Sequence, residues 1–438
     1  MASFAPSSLV FKVQRGQPEL LCPADATPHE LKHLSDNDDQ EVLRFQMPYI
    51  LFYKNNKQME GKDPVKILRE AIAKTLVYYY PFAGRLKEGP NRKLAVDCTG
   101  EGILFIEANA QVRLEQFGDA LQPSFPCLEE LMYDITRLLC GGFIFALRMS
   151  HTLSDAAGVV QFLNAICELA RGACVPSVAP VWSRDILNAR DPPCVTCIHR
   201  ECDDFPDEDT DSSVVPLEDM ACRVFLFGPQ EVAGLRHHVP PELRKCTMFE
   251  LLTAHLWRCR TIALSPDPSD EVRVVWGINT RAKFNPPLPK GYYGNVIASP
   301  AAVSVASKLC QYPLGYAIQL IREAGSNVSE EYVRSFSDLL VKKGRPNVLP
   351  VKGSYLVSDA RRAGYEAVDF GWGKAVYGGP AKGDAGGRVP GAASVYTRRK
   401  NNKGEDVAVV PIFLPHSAME IFVKENNNMT WEPKISKI

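Results

Sequence analysis

Gly142-Phe143-Ile144-Phe145-Ala146-Leu147-Arg148-Met149-Ser150-His151-Thr152-Leu153-Ser154-Asp155 is the stretch that decides the fold. It follows a Cys140-Gly141 turn and reads as a largely buried strand. Beyond it, Val159, Phe162, Leu163, Ile166 and Leu169 recur at helical spacing, and Ser154 is a suitable cap for that helix. His151 therefore sits at the end of a rigid strand, where an imidazole can face a cleft between layers. With an ordinary pKa of ~6.5, such a group takes up a proton at neutral pH. A histidine satisfied within the core is the competing reading of the same residues.

Spacing alone does not choose between them. With eight histidines and 51 acids in 438 residues, about one His-x-x-x-acid match arises by chance. A second match, His199 with Asp203, has no strand before it and reads as solvated surface. The helix after His151 begins near Asp155, so the two side chains need not share a face. Asp155 is then free to hold the loop by pairing with a distant cation.

Outward from this stretch, helical and strand signals alternate, the pattern of an α/β protein built from sheet and helix layers. A helix is expected from Asp63-Pro64 to about Tyr79, with Val65, Leu68, Ile72 and Leu76 on its inner face. The clearest break runs from Asp191 to Met220: Pro192-Pro193, then Asp203, Asp204, Asp207, Glu208, Asp209 and Asp211. Such a charge run repels itself, which predicts an exposed crossover at 191–220 between domains at 1–190 and 221–438. Later signals are a helix over Thr247 to Arg260, a strand over Val272 to Trp276 and a buried strand over Val407 to Leu414. Tyr377-Gly378-Gly379-Pro380, in the glycine-rich stretch before that last strand, reads as a flexible loop.

Fifty basic against 51 acidic side chains give a net charge of −1, which argues against a nucleic-acid partner. The longest apolar stretch, 138 to 147, is interrupted by glycines and falls short of the roughly 20 residues that span a membrane. The first residues lack a charged, apolar secretion signal, and 13 scattered cysteines fit a reducing compartment. Ser436-Lys437-Ile438 resembles the Ser-Lys-Leu peroxisomal address, so a cytoplasmic or peroxisomal location is expected; an ordinary polar tail is the alternative. Cys194-x-x-Cys197-x-His199-x-x-Cys202 is too tightly spaced for a common zinc knuckle and lacks a second half, so no metal is expected. There is no Gly-x-Ser-x-Gly elbow and no phosphate loop.

Together with Asp369-Phe370-Gly371-Trp372-Gly373, the His151 motif resembles the plant BAHD acyl-CoA-dependent acyltransferases. Leu34-Ser35-Asp36-Asn37-Asp38, Tyr80-Pro81-Phe82-Ala83-Gly84-Arg85-Leu86 and Tyr292-Tyr293-Gly294-Asn295 extend the resemblance over nearly the whole chain. Val96 to Gly102 and Phe284 to Pro289 are similar to the subgroup that makes benzoyl and other volatile esters. The resemblance implies two similar chloramphenicol-acetyltransferase-like domains of mixed sheet and helices with a tunnel between them, acting as a monomer. It implies transfer of an aromatic acyl group, benzoyl first, from CoA to benzyl alcohol or a similar small alcohol. CoA is then a cosubstrate, and no cofactor is required. His151 is the implied base, with Asp369 and Trp372 as further catalytic residues and the Trp372 indole as oxyanion donor; a packed core aromatic is the other reading of Trp372. Asp155, Arg281, Gly371 and Gly373 are the implied supports, and Lys245 and Thr247 the implied CoA contacts.

One departure stands out. Met132 to Leu139 runs almost directly into the Cys140-Gly141 turn, where family members carry a further loop and most of an apolar strand. These residues must then serve as the neighbouring strand, with Asp134 and Arg137 inside it. Backbone groups left unpaired there cost ~1–3 kcal/mol each if buried. A non-catalytic variant that only binds CoA thioester is the alternative function that this departure motivates.

Overall fold

A computed structural model describes residues 9–123, 125–202, 219–344, 353–384, 391–401 and 403–430. The acidic run at 203–211 and the terminal tripeptide lie outside the described residues. Numbered along the chain, the strands of the two main sheets are β1 (Val13–Arg15), β2 (Gln46–Tyr53), β3 (Glu107–Ala110), β4 (Ile135–Leu138), β5 (Phe143–Ser150), β6 (Met220–Phe227), β7 (Glu271–Trp276), β8 (Ala301–Val305), β9 (Ser354–Asp359), β10 (Tyr377–Pro380), β11 (Ala393–Lys400) and β12 (Asp406–Pro415). The first sheet has the order β1-β3-β4-β5-β2-β10 and the second β6-β12-β11-β9-β7-β8.

Helices cover these sheets as the hydrophobic spacing requires. α1 (Pro64–Tyr78) starts at the expected place, with the Asp63 side chain accepting from the Val65 N–H at 3.2 Å. With α2 (Ala156–Ala170) it buries Leu68, Ile72, Leu76, Phe162, Leu163 and Ile166 against the first sheet. α3 (Met248–Leu264), α4 (Leu314–Ser326) and α6 (His416–Thr430) do the same for the second sheet, while α5 (Glu330–Lys342) packs Tyr332 and Val333 with Leu187 and Val296, and Phe336 and Leu340 with Cys202. The mixed α/β architecture of two sheet domains is as the sequence implies.

β5 is central to the first sheet. It pairs antiparallel with β2 over its full length, from Phe143 with Tyr53 to Ser150 with Gln46. On the other edge β4 is present but short: it pairs only Phe143 to Phe145, and the Ala146 N–H then donates to the Asp134 carbonyl at 2.9 Å. The charged residues expected inside this strand have their own partners. Arg137 reaches outward to Asp63 (2.7 and 2.9 Å) and Glu107 (2.7 Å), and the Asp134 carboxylate accepts the Ile106 N–H at 2.8 Å. The shortened strand thus still joins β5 to β3, and the sheet is continuous.

Two expectations need correction. Tyr377 to Pro380 is a strand, not a loop: β10 pairs with β2, Tyr377 opposite Phe52 and Pro380 opposite Tyr49. Glycine is required there by proximity, since a β-carbon on Gly378 would lie 2.8 Å from the Tyr365 carbonyl oxygen. Residues 377–380 accordingly complete a sheet whose other strands all precede residue 151. His199 is also not surface. It is 6% exposed, with Nδ1 2.9 Å from Glu201 Oε1 and Nε2 3.0 Å from Ser335 Oγ on α5. These bonds clasp the start of the crossover onto that helix. Among the described residues no cluster of His, Cys, Asp and Glu is arranged to hold a metal. Nor is any described helix long and apolar enough to cross a membrane.

Candidate active site

His151 follows the last residue of β5, and its backbone N–H donates to the Phe45 carbonyl at 2.9 Å. Its side chain is half-buried beside the Phe45 ring, with centroids 5.5 Å apart. Nδ1 lies 3.2 Å from Asn295 Oδ1. Which atom carries the proton follows from what Asn295 does elsewhere. Its Nδ2 donates to Asp38 Oδ1 (2.9 Å), to the His151 carbonyl (2.8 Å) and to the Thr152 carbonyl (3.3 Å). Only the amide oxygen remains to face the imidazole, so Nδ1 is the N–H donor and Nε2 keeps its lone pair. Burial holds the imidazole below its ordinary pKa, against the opposing pull of the Asp155 and Asp38 carboxylates and the Asn295 bond. The ring is therefore neutral at pH 7, the form a base needs.

Behind Asn295 stands a buried polar cluster from the Leu34 to Asp38 segment. Asp38 Oδ1 also accepts from the Asn295 N–H (2.8 Å) and from Arg184 Nη1 (2.8 Å). Arg184 Nη2 donates to the Leu153 carbonyl at 2.8 Å, which ties the turn after His151 to the same carboxylate. Both side chains of the ion pair are essentially unexposed, at 1% and 0%. In sequence, Asn37-Asp38 and Asn295 stand out only as landmarks of the resemblance, and nothing local assigns Asp38, Arg184 or Asn295 to the site. Arg184 carries no local signal; its role comes from the fold.

Asp155, four residues after His151, caps α2 in place of Ser154 by accepting the Gly158 N–H at 3.0 Å. Its carboxylate is fully engaged: Arg281 Nη1 and Nη2 lie at 2.7 and 2.9 Å, and the Val296 N–H at 3.0 Å. Arg281 in turn reaches the Gly294 carbonyl at 2.7 Å. This bidentate pair joins α2 to the segment that carries Asn295, and so supports the imidazole indirectly.

The Asp369 to Gly373 motif lies elsewhere. Trp372 is buried edge-on against Phe143, with centroids 5.2 Å apart, and Phe370 packs on Tyr53 and Phe145. Phe143 is at the opposite end of β5 from His151, roughly 26 Å away at the rise of a strand. The structure does not bring Trp372 or Asp369 to the imidazole. Asp369 Oδ1 accepts from the Gly371 and Gly373 N–H groups at 2.8 and 2.9 Å, and both glycines have positive φ, 110° and 94°. That carboxylate holds a tight loop which a β-carbon would strain. The oxyanion role expected of Trp372 has no geometric basis, and the core reading holds.

Thr247 caps α3, but its partner is the helix's own Glu250: Thr247 N–H to Oε2 at 2.6 Å, and Glu250 N–H to Thr247 Oγ1 at 3.1 Å. A carboxylate thus occupies the helix start expected to suit phosphate. Thr247 nevertheless lines a cavity of about 500 Å³ together with Arg361, Arg362 and Arg398. Exposed Lys245 is not part of its wall. Past Arg362 the chain runs against α2, where a β-carbon on Gly364 would sit 3.7 Å from Val160 Cγ1.

Residues 11–429 match the model of the Transferase family. The chain belongs to this family, the BAHD acyltransferases. It is 58% identical to the benzyl alcohol O-benzoyltransferase of Petunia hybrida over 98% of this chain and 96% of that protein. The Nicotiana tabacum protein of the same name is equally similar, with the same coverage. Alcohol acyltransferase 16 of Actinidia chinensis var. chinensis is 50% identical over 99% and 96%. The crystal structure of vinorine synthase superposes with a TM-score of 0.71 at 20% identity, over 95% of this chain and 98% of that one, and so shares the fold. Like these relatives in sequence, the chain is an acyl-CoA-dependent alcohol acyltransferase.

Proposed function

We propose that this acyltransferase moves an aromatic acyl group, benzoyl first, from CoA to benzyl alcohol or a similar small alcohol, with His151 as base. The observation that carries the mechanism is the Asn295 bond, which fixes the proton on Nδ1 and leaves Nε2 free. In the reaction, Nε2 takes the hydroxyl proton as the alcohol oxygen attacks the thioester carbonyl. The tetrahedral centre then collapses, the C–S bond breaks, and Nε2–H returns the proton to the departing thiolate. Arg361, Arg362 and Arg398 line the cavity with Thr247 and bring positive charge toward the phosphates of CoA, with Asp359, paired to Arg361, and Asp406 in the same wall. Likeness to two benzyl alcohol O-benzoyltransferases supports the benzoyl choice. The short β4, which motivated a non-catalytic alternative, leaves every hydrogen bond of His151 described above in place.

Thiol release from benzoyl-CoA with benzyl alcohol, compared with acetyl-CoA and with 1-hexanol, tests the substrate assignment. An apolar pocket separates near neighbours by only ~1–3 kcal/mol per methylene. Benzoyl-CoA with benzyl alcohol is expected to show the highest kcat/KM, by about tenfold or more. A higher value for acetyl-CoA would overturn the acyl assignment and leave the base intact.

A further inference from the structure

β5 loses its β4 partner after Ala146, and a cavity of about 700 Å³ opens along its free edge from Ala146 to Ser150. Leu76, Phe82 and Phe162 form an apolar inner wall. At the mouth stand Leu20, Leu86 and Leu104, which are 57, 39 and 58% exposed. Large apolar side chains with that much exposure, gathered at one opening, are the usual mark of a ligand site. The wall also holds polar groups: Arg148 pairs with Glu129 and Arg85 with Glu101, while Asp134 is the acid placed to orient a ligand. Asp134 accepts the Ile106 N–H, and no basic side chain pairs with it among the described residues. Burial pushes its carboxyl up to about 7, so near neutral pH it can accept or donate a hydrogen bond.

We propose that this gap is a second ligand site, apart from the reacting centre, for a small apolar molecule carrying one hydroxyl, a phenol or aromatic alcohol, with the hydroxyl on Asp134. The distance sets it apart from the reaction. Asp134 is level with Ala146, five residues before His151, or roughly 16 Å along the strand. A hydroxyl held there is not the one that His151 deprotonates. The other end of the cavity touches Ser150 and Leu153, which bracket His151, so an occupant bears directly on the catalytic turn.

The test is fluorescence titration of the full chain, without acyl-CoA, with 2-naphthol and with 2-methoxynaphthalene, which keeps the ring and lacks the donor. Because nothing turns over, the result does not depend on the proposed reaction. 2-Naphthol is expected to bind wild type and His151→Ala equally, and its methyl ether at least tenfold more weakly. Asp134→Leu should remove that preference. Leu147→Trp, which fills the cavity, should weaken both probes at least tenfold. Gln46→Trp, at an exposed position on the rim, should do so without touching the core, and thermal melts establish that each variant is folded. Failure of wild type to bind 2-naphthol would overturn the proposal, as would binding left unchanged by Leu147→Trp and Gln46→Trp.

Discussion

The two ends of β5 carry the two motifs by which the chain resembles its family, and they are chemically opposite. At the C-terminal end, His151 spends one ring nitrogen on Asn295 and leaves the other free. At the N-terminal end, Phe143 receives the edge of a buried indole, and the nearby Asp369 carboxylate spends an oxygen on two backbone N–H groups of its own loop. Reactivity needs an atom whose hydrogen-bonding capacity is not already used. One end of the strand has such an atom; the other is scaffold.

The largest difference between the ends should appear on His151→Ala, which is expected to lower kcat by ~10²–10⁴-fold, the usual worth of one general base. Because burial lowers the imidazole pKa, the acid limb of kcat/KM for wild type should lie below the ordinary histidine value, with activity lost as pH falls through it. Asp155→Ala should act on stability instead. It leaves Arg281 without its carboxylate in a largely buried site, which costs ~3–5 kcal/mol and is read as a lower midpoint in urea. Asn295→Ala releases the ring without removing it. A misplaced catalytic group costs about 10²-fold, so kcat should fall by that order while KM changes little.

Asp134→Asn should have the smallest effect. The folded pKa of Asp134 is raised to about 7, so the folded state holds the proton over a range in which the unfolded chain has released it. Wild-type stability from this group therefore declines as pH rises from about 4 to 7. The asparagine variant keeps an acceptor for Ile106 and should melt a few degrees above wild type at pH 7.5, with the gap closing at pH 4. An unchanging gap would contradict the assignment.

Periodicity made most of the scaffold legible: α1 with its Asp63 cap, the β5 strand and the α2 inner face all fall where the apolar spacing places them. What local reading missed was pairing between segments far apart in the chain. Gly378 and Gly379 look like a loop because glycine disfavours strands, yet the close approach of Tyr365 makes Gly378 necessary in one. His199 lies beside an acidic run, yet it is buried by Ser335, 136 residues away. Within the site, His151 and the Asp155–Arg281 pair could be named from motif and resemblance. The partner that sets the tautomer could not, because Asn295 acts through an amide oriented by distant Asp38 together with the His151 and Thr152 carbonyls. Trp372 shows the reverse error, a family motif taken for chemistry when its surroundings are core.

The most direct test is turnover by Trp372→Phe, measured beside His151→Ala as alcohol-dependent thiol release at equal folded concentration. Phenylalanine keeps the edge-on aromatic contact with Phe143 and removes the indole N–H. If the indole is scaffold, kcat for Trp372→Phe stays within about threefold of wild type, against the loss for His151→Ala. A fall of ~10²–10³-fold, the effect of deleting an oxyanion donor, would contradict that role by placing the indole at the reacting atoms.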